Sequence, residues 1–185
     1  SSLAGGLTWP ISDGDARGYA ATGLHWIFED YSSPQSSILV GPQNILNGYI
    51  QGVYPPYTVQ RGDTFRTQVG CELQATSCYV QFRLAYFIRD GDQPITIWQF
   101  NERWEGLTKP ASFRPVSLDF LAGQTVRFVL YLSAYGSPTG DRALWGEPII
   151  AGTGSVPPPP PPITITPPIP PSSCDRVEFV ADVSV

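Results

Sequence analysis

The chain has 185 residues with 42 % hydrophobic, 12 % aromatic and only 15 % charged residues, and it holds 18 Gly and 20 Pro. Low charge with many aromatics and turn formers suits an all-β domain large enough to bury a core. The formal net charge is −5 and Lys109 is the single lysine, which argues against nucleic acid as a partner, because phosphate binding needs a basic face.

In chain order, 23–30 (GLHWIFED) and 45–54 (ILNGYIQGVY) are apolar runs bounded by Gly, Pro and Ser. The run 63–71 leads into the clearest strand, 78–88, where Val80, Phe82, Leu84, Tyr86 and Ile88 share one face and Gln81 and Arg83 the other. A DGDQP turn at 90–94 precedes a long strand at 95–104, and further strands are predicted at 114–120, 124–134 and 142–150. Within 126–132, Val126, Phe128, Leu130 and Leu132 alternate with Arg127, Val129 and Tyr131. The second face is also partly apolar, so this strand is expected to be central and covered. The pattern predicts an all-β jelly-roll β-sandwich over 1–152, a Pro-rich linker over 153–173 and one C-terminal strand over 174–185.

No apolar run approaches the roughly 20 residues of a membrane-spanning helix. The sequence starts at Ser1 without an initiator Met, which reads as a processed chain. Cys71 and Cys78 flank six residues between two strand runs. They are either a disulfide stapling a hairpin or two buried thiols, and a disulfide would place the protein outside the cell. The third cysteine, Cys174, is a candidate for an intersubunit disulfide.

Candidate chemistry is sparse. The one histidine, His25, lacks an accompanying nucleophile motif and reads as structural. No pair among Glu102, Glu105, Asp119 and Glu147 is marked as a glycosidase dyad, so the chain is read as non-enzymatic. No cofactor is expected; Ca²⁺ is conceivable only at the paired carboxylates of 12–18 and 89–94, where Asp and Gly serve as turn formers. Sugar binding has a better basis. Along WQFNERW, alternation places Trp98, Phe100, Glu102 and Trp104 on one face and Gln99, Asn101 and Arg103 on the other. Trp104, Glu102 and Asn101 are the candidate glycan-binding residues, since a ring can stack on a pyranose beside polar groups.

The stretch 116–150, with LAGQ opening a strand and DRALWGEPII closing it, resembles the last third of galactose-binding-like jelly rolls in secreted bacterial proteins. Segments 47–66 and 97–106 fit the same pattern. That resemblance implies a sandwich used for sugar binding, adhesion or scaffolding. The segment 174–185 is similar to the first strand of an immunoglobulin-like domain that follows proline linkers in such proteins.

Residues 157–171 form a polyproline-type rod spanning roughly 45 Å, against a domain diameter of about 38 Å. Beyond it, Val177, Phe179, Val183 and Val185 line one face of an isolated strand. A lone apolar strand needs a sheet to join. Two readings follow. One is an extracellular subunit whose partners are further copies of itself, assembled head-to-tail into a cell-surface filament by donating this strand. The other is a carbohydrate-binding module of a larger secreted protein, with a polysaccharide as its partner.

Overall fold

The computed structural model describes residues 14–23, 26–106 and 115–152, and the backbone of three short strands at 7–8, 112–113 and 182–183. In chain order the strands are β1 (Leu7–Thr8), β2 (Tyr19–Gly23), β3 (Ser37–Gly41), β4 (Tyr49–Val53), β5 (Tyr57–Thr58), β6 (Thr64–Cys71) and β7 (Tyr79–Phe87). They continue with β8 (Ile95–Arg103), β9 (Ser112–Phe113), β10 (Val116–Ser117), β11 (Thr125–Ala134), β12 (Ala143–Ala151) and β13 (Asp182–Val183). A single 3-10 turn at Asp119–Leu121 is the one helical element among the described residues.

Two antiparallel sheets face each other. The larger has the order β10-β6-β12-β3-β2 with β9 also on β6, and the smaller has β4-β11-β7-β8 with β5 also on β11. The chain changes sheet between β3 and β4, β5 and β6, β6 and β7, β8 and β9, β10 and β11, and β11 and β12, which makes a jelly-roll sandwich. Alternation dictates what each strand buries. Val80, Phe82 and Leu84 of β7 and Val126, Phe128, Leu130 and Leu132 of β11 point inward, against Leu39, Phe65, Val69 and Trp145 of the larger sheet. Trp145 sits at the centre, with ring centroids 5.0 Å from Phe82, 6.3 Å from Trp98 and 6.4 Å from Phe65.

Several predicted strands are shorter in the structure, for local reasons. In 23–30, Leu24 and His25 lie outside the described residues, and beyond them only Phe28 makes a bridge, to Glu72. There the Phe28 N–H donates to Ser32 O and Asp30 accepts from Ser32, so a turn replaces the strand. In 45–54 the strand starts at Tyr49, because Ile45–Gly48 closes a turn and Asn47 adopts φ 54°. In 114–120 it shrinks to Val116–Ser117, because Asp119 opens the 3-10 turn and accepts the Gly62 N–H at 2.6 Å. A five-residue strand that the periodicity misses, β3, pairs with both β2 and β12.

Cys71 and Cys78 are disulfide-bonded, with Cα atoms 6.1 Å apart. The bond does a different job from the expected hairpin staple. Cys71 ends β6 in the larger sheet and Cys78 precedes β7 in the smaller, so the bond ties the two sheets together at one end of the sandwich.

Of the C-terminal strand, Asp182 and Val183 are described, and they pair antiparallel with Thr8 and Leu7 of the same chain, close to β4. Cys174, Val177, Phe179 and Val185, and the proline linker, lie outside the described residues. The pairing within one chain lends no support to filament assembly.

Candidate functional site

The smaller sheet has two faces, and the register of its strands builds the second one residue by residue. β11 is central, between β4 and β7, as its partly apolar second face predicts. Cross-strand pairing sets Tyr131 beside Gln51 on one side and Arg83 on the other, with Gln99 next beyond Arg83. One row along, Ser133 lies between Tyr49 and Gln81, and Gln81 is followed by Asn101. In the opposite direction come Val53, Val129 and Ala85, then Arg127 with Phe87. At the other end Arg103 lies opposite Tyr79. Rows two residues apart are about 7 Å from one another, so this outer face runs for roughly 27 Å.

Its centre is a shallow groove of about 710 Å³, bounded at one end by the β7–β8 loop Asp90–Pro94. Tyr131, Val53 and Phe87 line it, and they pack with the fully buried Ala85 and Val129 as a small apolar cluster. The Arg83 guanidinium carbon lies 3.8 Å from the Tyr131 ring centroid, a cation–π stack that leaves the tyrosine only 5 % exposed. Burial pushes the Tyr131 hydroxyl above its ordinary pKa, and the positive charge of Arg83 pulls against that shift. A second such pair, Arg103 at 5.9 Å from the Tyr79 ring, lies at the far end, where Tyr79 also packs on Tyr135. Tyr49 stands 37 % exposed along the groove. Gln81 Nε2 donates to Asn101 Oδ1 at 2.9 Å, which orients both amides.

The three candidate glycan-binding residues are split between the faces. Asn101 is exposed on the outer face, where alternation places it. Glu102 lies opposite Val80 on the core side and is 1 % exposed, with its Oε1 accepting the Arg103 N–H at 3.1 Å. Trp104 is half-buried against the core and its indole N–H donates to Leu73 O at 3.3 Å. Sequence reasoning missed Tyr49, Gln51, Arg83 and Tyr131. Their signal was the apolar and aromatic content of both faces of β11.

A second concavity of about 330 Å³ lies among the end loops, lined by Asp15, Tyr19, Asn44, Asp141 and Arg142 among others. Asp15 and Arg142 are engaged with protein. Arg17 holds both oxygens of Asp15, and this hydrogen bonding lowers the Asp15 carboxyl to about 2. Arg142 is bound to Glu72 through two nitrogens. Of the other carboxylates weighed for Ca²⁺, Asp13 lies outside the described residues, Asp90 pairs with Arg127 at 3.2 Å and Asp92 accepts the Arg89 N–H at 3.1 Å. Among the described residues no three His, Cys, Asp or Glu side chains cluster as a metal site.

Asp141 is 3 % exposed; its Oδ1 accepts the Tyr79 N–H at 2.8 Å, and its Oδ2 has no protein partner among the described residues. Burial raises the carboxyl to about 6, opposed by the Tyr79 hydrogen bond. The folded state therefore holds a proton that the unfolded chain has released, so this group's contribution to stability is fullest below about pH 4 and declines as pH rises towards about 6. Asp141→Asn should flatten that decline, read as denaturation midpoints between about pH 4 and pH 7. An unchanged slope would show that Asp141 is ionised throughout.

Comparison with known proteins adds little. No family model matches the chain and no curated protein does. Among solved structures, a similar chain is that of CBM51-2 in complex with GlcNAc and INT domains, from Clostridium perfringens ZmpB. It is 15 % identical with a TM-score of 0.49, covering 77 % of this chain, while this chain spans 28 % of that one. A likeness this low assigns neither ligand nor site.

Proposed function

We propose that the protein is a non-catalytic carbohydrate-binding module that holds a polysaccharide along the outer face of its smaller sheet. The observation that carries this reading is the composition of that face. Tyr49 offers a partly exposed ring, Gln51, Gln81, Gln99 and Asn101 offer paired amide donors and acceptors, and all project from rigid strands. An aromatic ring covers the apolar face of a sugar, and amides meet its hydroxyls without the cost of burying a charge. An open sheet face about 27 Å long with a shallow groove at its centre, rather than a closed pocket, suits a chain more than a single sugar. The end-loop concavity is the weaker candidate, because Asp15 and Arg142 are already paired within the protein and Asp141 is 3 % exposed. The disulfide fits an oxidising, extracellular setting, where such a polymer would be met.

A broad glycan array is the first test, followed by titration of the best ligand. Tyr49→Ala should weaken binding by about tenfold, equivalent to about 1.4 kcal/mol, with the fold unchanged. A wild-type protein that retains no glycan, or a Tyr49→Ala variant that binds equally well, would remove this reading.

A further inference from the structure

We infer that the polysaccharide is anionic, bearing carboxylate or sulfate groups that Arg83 and Arg103 meet; this rests on the binding face proposed above. The argument is one of charge distribution. The chain as a whole carries −5 with 11 Lys and Arg in total. Yet the outward positions of β4, β7, β8 and β11 place Arg83, Arg103 and Arg127 on one sheet face with no carboxylate between them. The nearest acids are Asp90 and Asp92, in the loop at one end, and Asp90 neutralises Arg127 alone.

Arg83 and Arg103 form no ion pair with any carboxylate among the described residues. Each instead lies over a tyrosine ring, Tyr131 or Tyr79. Stacking holds the guanidinium in place, Arg83 also hydrogen-bonds the Tyr131 hydroxyl, and neither guanidinium is tied up by a carboxylate, so N–H donors remain for bidentate recognition of an anionic group. A face meant only for solvent would intersperse both signs of charge. Arginine can also hydrogen-bond neutral hydroxyls, but two arginines with no carboxylate between them gain most from a ligand that brings the opposite charge. The amides beside them make contacts for hydroxyls, so the expected ligand alternates charged groups with hydroxyl-rich stretches.

The probes are a galacturonate hexamer, its methyl-esterified form with the charges removed, a sulfated heparin hexasaccharide and a single-stranded polynucleotide, each titrated against the full chain. One or both of the acidic hexamers should bind, and more weakly at roughly 500 mM than at 50 mM NaCl. Binding of the heparin fragment alone would assign the charge to sulfate, and of galacturonate alone to carboxylate. The methyl ester should bind galacturonate's site at least about tenfold more weakly than the acid. Arg83→Gln should cost the acidic ligand at least about tenfold. Exposed Arg103→Gln provides the same readout, about threefold, if Arg83→Gln loses its fold.

Equal binding of acid and ester, with Tyr49→Ala deleterious and both arginine variants silent, would overturn the anionic ligand and leave the glycan-binding face standing. A preference for the polynucleotide would overturn it too. Binding of no saccharide would end both proposals.

Discussion

Trp145→Ala should lower the unfolding free energy by about 3–5 kcal/mol, the largest loss expected from any single side chain here. Trp145 is 1 % exposed and packs against Phe65, Phe82 and Trp98, so its removal empties the contact between the two sheets. The space would collapse poorly. Trp145 is opposite Val69 on one side and Ile38 on the other, and both neighbouring strands are held by backbone hydrogen bonds. Trp145→Phe keeps part of the contact and should cost less. Urea denaturation measures both, and a loss below about 1 kcal/mol for the alanine variant would mean that the core is not centred on this residue.

Opening the Cys71–Cys78 bond should cost about 2–3 kcal/mol, from the seven-residue separation of its ends. For a domain of this size that corresponds to a fall of about 5–10 °C in melting temperature on reduction. The bond joins one sheet to the other, so its loss frees the loop that carries Leu73, which accepts the Trp104 indole N–H, and Glu72, which holds Arg142. A Cys71→Ala, Cys78→Ala double variant should reproduce the effect and be insensitive to reductant. Thiol titration finding both cysteines free in the purified native protein would contradict the pairing.

Both effects bear on the proposed binding face without touching it. Arg83 and Tyr131 sit on β7 and β11, whose inward side chains pack on Trp145 and its neighbours. Loosening that core should therefore blur the register that aligns the outer rows, and ligand affinity should fall together with stability. Variants of the face itself, such as Tyr49→Ala, should lower affinity alone.

The alternation in 80–88 and 126–132 was enough to name Val80, Phe82, Leu84, Val126, Phe128, Leu130 and Leu132 as core, because a strand buried on one face must repeat every second position. Ile88, on the same predicted face, lies past the end of β7 and is exposed. The cysteine spacing marked Cys71 and Cys78 as a candidate pair, and the structure decided between a bond and two thiols. The all-β class followed from composition and turn chemistry. Other features were beyond any local reading. The short strand β3 is specified by the partners on both its edges, and 26–30 gave up its strand to the hydrogen bonds of Asp30 and Ser32. In 98–104, alternation correctly separated Asn101 from Glu102 and Trp104, but it could not say which set faces the core. That depended on the opposing sheet and on Val80, the inward residue opposite Glu102. The groove was the least legible feature. Tyr49, Arg83 and Tyr131 stand far apart in the chain and become neighbours only through the registers of β4, β7 and β11, and register is a property of paired strands that no single strand contains.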